Sequence, residues 1–309
     1  MLRVGTDCSG IEAPIVALKE LGVPISHEFS SETDSNCVKM IQANFAPKLL
    51  FGDIQKRDIR QVPDIDLYVC GFPCQPFSSL RAVNLADKTK RDTRKGMVNK
   101  CYDVIEKKKP IVYVLENVPA LLSANGGKTF KAIMKRLHGS GEYNVYYQVL
   151  NTKDYGIPQN RQRLYIVGIK INHLVKEFHF PKVVPLTVTV EDFLQDKTKY
   201  KFSPNTYSWR LQERLPKDHA RRVYCVKWRG GEGTSEKYTP CITTSTDIFV
   251  TKYNRNLTPK EKFLLQGFPK KMKIVVSDAV LGKQAGNAMS VNVLKYLFVE
   301  IFKALGYYR

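Results

Sequence analysis

The chain has 309 residues, 43% hydrophobic and 25% charged, enough to bury a large core beside a smaller lobe and too apolar for an intrinsically disordered protein. Lysine and arginine outnumber aspartate and glutamate 49 to 29, a net charge of +20, so the expected partner is a polyanion, with nucleic acid first. No run approaches the roughly 20 apolar residues of a membrane span, the start Met1-Leu2-Arg3-Val4-Gly5 lacks a secretory pattern, and seven cysteines without regular spacing fit a reducing compartment. A soluble, intracellular protein is expected. Cys70 and Cys74 are too few for a zinc site.

In chain order, Arg3 to Cys8 reads as a strand. Glu12 to Leu21 has apolar residues at helical spacing, with Gly22 placed to end the helix. A second strand, Ile25 to Ser31, leads to Glu32. Asp34 is suited to cap the helix carrying Cys37, Val38, Met40 and Ile41, and Leu49-Leu50-Phe51 is a short third strand. Strand Ile65 to Cys70, helix Gly96 to Glu106, strand Ile111 to Leu115, helix Lys128 to Leu137, and strands Tyr143 to Leu150 and Leu164 to Ile169 follow. Strands separated by helices of ten to fifteen residues predict an α/β fold, a mostly parallel sheet with helices on both faces.

After Lys170 the alternation stops, and prolines and aromatic residues mix with basic ones. This predicts a small irregular domain over 172–251, between the two parts of the main domain at 1–171 and 252–309. Helical pattern returns where Thr258 caps, Pro259 takes the first turn and Glu261 closes a capping box. The last helix, about Ser290 to Ala304, is expected to bury Val291, Leu294, Leu297, Phe298 and Ile301.

The candidate chemistry lies at strand ends, where ligands of open α/β sheets bind. Thr6-Asp7-Cys8-Ser9-Gly10-Ile11-Glu12 turns from the first strand into the first helix, and Gly10 permits close approach of a ligand. Glu32 stands where an acid commonly bonds ribose hydroxyls. Asp53, in Gly52-Asp53-Ile54, can accept from an adenine amino group. The GxGxxG phosphate loop is missing, which argues against a nicotinamide-dependent oxidoreductase and for a cofactor with ribose and no pyrophosphate; S-adenosyl-L-methionine fits that description.

Gly71-Phe72-Pro73-Cys74-Gln75-Pro76-Phe77-Ser78 places Cys74 between two prolines at a strand's carboxyl end, pre-aimed as a nucleophile. Glu116-Asn117-Val118 closes the apolar strand Ile111 to Leu115. A carboxyl group in an apolar setting can stay protonated and donate to a ring nitrogen while a thiolate attacks the ring. In Gln159-Asn160-Arg161-Gln162-Arg163 the two guanidinium groups, at i and i+2, suit a phosphate or a pyrimidine carbonyl.

With Leu257-Thr258 through Leu265-Gln266-Gly267-Phe268-Pro269 and Gln284-Ala285-Gly286-Asn287, these blocks resemble, in order, the motifs of the C5-cytosine DNA methyltransferases. The resemblance implies a Rossmann-like S-adenosylmethionine-dependent methyltransferase fold with 172–251 as the target-recognition domain. It makes Cys74, Glu116, Arg161 and Arg163 catalytic: Cys74 attacks cytosine C6, Glu116 engages N3 and the exocyclic amine, and the arginines hold base and backbone. Cofactor contacts are expected at Asp7, Ser9, Gly10, Ile11, Glu32, Asp53, Ile54, Gly71, Pro73, Asn287 and Ala288, with S-adenosyl-L-homocysteine as product. The first and last segments must then meet. Ile11-Glu12-Ala13 departs from the family's more glycine-rich turn.

DNA contacts are expected at Gln75, Ser78, Arg81, Arg94, Lys95, Trp228, Arg229, Gly230, Thr243 and Thr244, with residues 81–95 closing over the duplex. The resemblance implies double-stranded DNA as partner, a short target, a monomer, and room for a cognate restriction endonuclease. A transfer-RNA cytosine methyltransferase shares the chemistry and differs before the Pro-Cys pair, where Phe72 favours DNA. A non-catalytic DNA-binding homologue would not need Cys74, Glu116, Arg161 and Arg163.

Overall fold

A computed structural model describes residues 1–73, 97–195, 237–245, 248–250, 253 and 255–307, and 225–227 through their backbone. The strands are β1 (Leu2–Asp7), β2 (Ile25–Ser31), β3 (Leu49–Phe51), β4 (Leu67–Cys70), β5 (Val112–Asn117), β6 (Tyr143–Asn151) and β7 (Gln162–Lys170). They form one sheet in the order β3-β2-β1-β4-β5-β7-β6. Neighbours from β3 through β5 run parallel, and β7 is antiparallel to β5. The sheet is therefore mostly parallel with a reversed strand toward one edge.

The central strands β4 and β5 are short apolar runs because a strand covered on both faces leaves no side for polar residues. All four residues of β4 and the first four of β5 are buried. The chain builds β1, β2 and β3 outward, then returns to place β4 on the other side of β1. That reversal opens a crevice at the carboxyl ends of β1 and β4, where Asp7 pairs with Cys70 in register.

Helices α1 (Ala13–Glu20), α2 (Ser35–Asn44), α3 (Met97–Lys108) and α4 (Lys128–His138) fall within one or two residues of the predicted ones. Asp34 caps α2 as expected, accepting from the Asn36 amide at 2.8 Å. Helices α5 (Pro259–Leu265), α6 (Asp278–Asn287) and α7 (Val291–Ala304) follow. Thr258 and Glu261 form the predicted capping box of α5. The five apolar residues expected to face inward from α7 are all buried. Lys295 of α7 pairs with Glu20 of α1 at 3.0 Å. Helix α6 was not foreseen, because Gly282 and Gly286 lower its helical propensity.

The chain divides into two compact units. The first comprises Met1–Leu150, Gln162–Lys182 and Val293–Arg309, and the second Asn151–Arg161 and Val183–Asn292. The second unit is thus larger than the 172–251 read from composition. Its core gathers Ile157, Val190, Ile242, Ile248, Val250, Leu257 and Leu265, beside an antiparallel sheet of β8 (Cys225–Lys227), β9 (Ile248–Val250) and β10 (Arg255–Asn256) in the order β10-β9-β8. Residues 151–161 join it through hydrogen bonds: the Gln159 amide donates to the Leu265 carbonyl at 2.8 Å and to Gln266 Oε1 at 2.7 Å. Such bonds leave no trace in hydropathy.

Candidate active site

After β1 the backbone makes a left-handed turn, with positive φ at Cys8 (50°), Gly10 (54°) and Glu12 (63°). The position of a Cβ on Gly10 is open space, so the turn presents bare backbone to an incoming group. The Gly10 amide donates to Glu32 Oε2 at 2.8 Å, and the Thr33 and Asp34 amides to Glu32 Oε1 at 2.8 and 2.9 Å. Three backbone donors thus fix the carboxylate beside the turn, 22 residues away in sequence. Asp53 is half-buried after β3 and accepts from the Gln55 amide at 2.9 Å. Ser9 Oγ accepts from the Ser31 amide at 3.1 Å, and Ile11 and Ile54 are buried. An open glycine turn flanked by two anchored acids at adjacent strand ends fits an adenosyl group, and nothing in it is built for a pyrophosphate.

Two residues of this turn differ from expectation in what their side chains do. Asp7, expected among the cofactor contacts, is 1% exposed. Its carboxylate accepts from both terminal nitrogens of Arg57 and from the Tyr68 hydroxyl, so it holds strand ends together rather than facing a ligand. Burial, then the Asp7 charge, pushes the Tyr68 phenol well above its ordinary pKa and keeps it a donor. Glu12, where the family turn has glycine, is fully buried and accepts from Thr6 Oγ1 at 2.7 Å and Ser30 Oγ at 2.6 Å. Its carboxylate folds under the turn, so the extra side chain does not obstruct the open face.

Strand β4 leads toward Cys74. Cys70 is sealed in the core beside Cys101, 3.3 Å between sulfurs, and burial pushes its thiol well above the ordinary range; it is an inert thiol. Gly71, Phe72 and Pro73 continue out of the sheet. Cys74, Gln75, Ser78, Arg81, Arg94 and Lys95 lie outside the described residues. Cys70 pairs with Leu115, so β4 and β5 reach the turn and Glu116 in step. Asn117 Nδ2 donates to the Phe72 carbonyl at 3.1 Å, tying the strand end that bears Glu116 to the turn two residues before Cys74. Arg163 Nε lies 3.3 Å from Glu116 Oε1, with side chains 15% and 12% exposed. A carboxyl–guanidinium pair that sequence reasoning did not foresee therefore forms between β5 and β7.

Arg161, expected with Arg163 to hold base and backbone, turns its side chain toward the protein. It is 2% exposed, and its guanidinium donates to the carbonyls of Ile242 (2.7 Å), Gly286 (3.3 Å) and Ala288 (2.8 Å). A group surrounded by main-chain acceptors is not free to hold a base; Arg161 fastens the 241–245 segment to the end of α6. Gln266 adds bonds to the Ala285 and Ala288 carbonyls, both 2.8 Å. A Cβ on Gly286 would sit 2.4 Å from the Thr243 carbonyl carbon and the Thr244 nitrogen, so only glycine allows this approach. Asn287 is exposed between buried neighbours, Ala288 is buried, Thr243 is half-buried and Thr244 exposed. Trp228, Arg229 and Gly230 lie outside the described residues.

Sequence reasoning gave no role to Arg57, Asn117, Gln159 or Gln266. The last three sit inside quoted motifs, so their neighbourhood was a signal. Arg57 had none beyond following Gly52-Asp53-Ile54 by three residues.

A family model described as C-5 cytosine-specific DNA methylase matches residues 7–303. Among similar proteins, the Type II methyltransferase M.Bsp6I of Bacillus sp. (strain RFL6) is 33% identical, covering 99% of this chain and all of the relative. The Type II methyltransferase M.NlaX of Neisseria lactamica is also 33% identical, over 90% of this chain and 88% of its own. The solved Entamoeba histolytica methyltransferase EhMeth superposes with a TM-score of 0.72 at 18% identity, covering 99% of both chains, a likeness of fold.

Proposed function

The chain belongs to the C-5 cytosine-specific DNA methylase family, and from that premise we propose that it methylates C5 of a flipped-out cytosine through a covalent Cys74 adduct at C6. It is a DNA cytosine-5 methyltransferase of restriction–modification type with the Rossmann-like fold of S-adenosylmethionine-dependent enzymes. A cytosine stacked in a duplex hides C6, so the base must leave the stack at a cost of a few kcal/mol. In the proposed path the Cys74 thiolate bonds to C6 while Glu116 engages N3 and the exocyclic amine. The electron pair displaced from the C5–C6 bond makes C5 carbanion-like. S-adenosylmethionine, when bound, supplies an electrophilic sulfonium methyl group. C5 takes the methyl, a base removes the C5 proton, and the electrons of that bond expel the Cys74 sulfur.

The observation that carries this reading is the Asn117 bond to the Phe72 carbonyl, because it places the Glu116 strand end against the stem of the Cys74 turn. Arg163 steadies Glu116 in the proposed site, and Arg161 holds the 241–245 segment to the end of α6. Glu32 takes the ribose hydroxyls and Asp53 the adenine amine. Ser9, Gly10, Ile11, Ile54, Gly71, Pro73, Asn287 and Ala288 complete the proposed cofactor contacts. Thr243 and Thr244, with Gln75, Ser78, Arg81, Arg94, Lys95, Trp228, Arg229 and Gly230, are proposed to meet DNA. The names of the Type II relatives suggest a cognate restriction endonuclease as a functional partner, and the enzyme is proposed to act as a monomer.

The test is transfer of labelled methyl from S-adenosylmethionine to duplex DNA and, in parallel, to transfer RNA, followed by bisulfite mapping. Transfer confined to DNA, at cytosines of one short sequence, is expected; transfer confined to transfer RNA would replace the substrate.

A further inference from the structure

Three acids stand at the ends of β1, β2 and the β3 loop, and one cation is built among them. Arg57, four residues beyond Asp53, turns back so that its side chain is only 4% exposed. It donates to both carboxylate oxygens of Asp7, Nη2 to Oδ2 at 2.8 Å, and to Ser31 Oγ at 2.6 Å. Its guanidinium lies over the Phe29 and Phe51 rings, 5.2 and 5.3 Å from their centroids. One planar group thus touches the last residues of β1, β2 and β3 from the loop that carries Asp53. Burial works against its charge, but the Asp7 hydrogen bonds and charge more than offset it and raise its pKa above the ordinary value.

Such a fork is directional, and a lysine at the same place offers a point charge without it. In the loop after β3 the Asp53 carboxylate accepts locally from Gln55 and Asp58 pairs locally with Arg60, and Ile54 is its buried apolar contact. Resting on the cofactor reading above, we propose that Arg57 is the positioning residue of the cofactor site. It locks the Asp53 loop onto the ends of β1 and β2 and neutralises Asp7, leaving Glu32 and Asp53 as the acids offered to an adenosyl group. It touches no substrate itself.

The test uses the full chain with Arg57→Lys and the charge-removed pair Asp7→Asn/Arg57→Met, each checked for fold by circular dichroism. Affinity for S-adenosylhomocysteine is read by calorimetry and affinity for duplex DNA without cofactor by fluorescence anisotropy. Arg57→Lys should weaken S-adenosylhomocysteine at least tenfold, with DNA affinity within twofold of the parent. The charge-removed pair should fold and bind S-adenosylhomocysteine as weakly. Unchanged affinity in either folded variant, or an equal fall for both ligands in step with thermal stability, overturns the positioning role. On the parent protein, hydrogen exchange at 8–12 and 52–58 should slow when S-adenosylhomocysteine is added; unaltered exchange at 52–58 also overturns it. A parent that fails to bind S-adenosylhomocysteine sinks the cofactor reading instead, so the two failures are separable.

Discussion

The strand ends of the first unit and the 151–161, 241–245 and 284–292 segments of the second are both organised by a buried arginine, but by opposite means. Arg57 meets a carboxylate, so its charge is cancelled locally and the ion pair fixes a loop. Arg161 meets main-chain carbonyls, so its hydrogen bonds replace the ladder that irregular backbone lacks. The first unit already has a sheet, and its arginine refines it. Among its described residues the second has short strands and the apolar cluster around Ile242 and Leu265, and its arginine is part of what closes it.

That contrast predicts where substitution costs most. Arg161→Met removes bonds to three buried carbonyls, of which Ala288 keeps its partner Gln266, and should cost roughly 3 kcal/mol in urea unfolding; a loss below ~1 kcal/mol would mean the second unit closes without it. Gly286→Ala forces a Cβ against the Thr243–Thr244 backbone and should cost about 1 to 3 kcal/mol, read as a lowered melting temperature. An unchanged value would show that the 241–245 segment shifts freely.

Thr258→Ala removes one half of the α5 capping box and should cost about 1 kcal/mol by chemical denaturation. The smallest effect belongs to the first unit. Asp66 is half a salt bridge with Arg3: burial opposes its charge, but the Arg3 side-chain and backbone hydrogen bonds more than offset that and hold its pKa below the ordinary value. A depressed folded value contributes stability above the unfolded pKa of about 3.9 and loses it as pH falls through the folded one. Asp66→Asn should therefore flatten acid unfolding below about pH 4 while costing less than ~1 kcal/mol at neutral pH, because the Arg3 side chain is 47% exposed and screened. A steeper acid transition in the variant would contradict the sign.

These residues also mark what sequence could carry. Tyr68, Val69, Tyr113 and Val114 lie in apolar runs, and apolar runs between helices declared the sheet. Asp34, Thr258 and Glu261 announced helix starts because capping acts over two or three residues. The spacing that brings Gly10 to Glu32 was legible for the same reason, two ends of one βαβ unit. Arg57 to Asp7, Gln159 to Gln266 and Arg161 to Ala288 span 50, 107 and 127 residues. Contacts at that range depend on the finished fold, so Asp7 and Arg161 were read as ligand-facing when their side chains face the protein. A motif fixes a residue's place in the chain and not the direction of its side chain.

The central claim is a sulfur–carbon bond between Cys74 and the target cytosine, and covalent capture on duplex DNA carrying 5-fluorocytosine tests it directly. With S-adenosylmethionine present, the parent protein should form a denaturation-resistant complex that maps to Cys74 by peptide mass, and Cys74→Ser should form none. Capture by the serine variant, or methyl transfer by the parent with no capture, would contradict it.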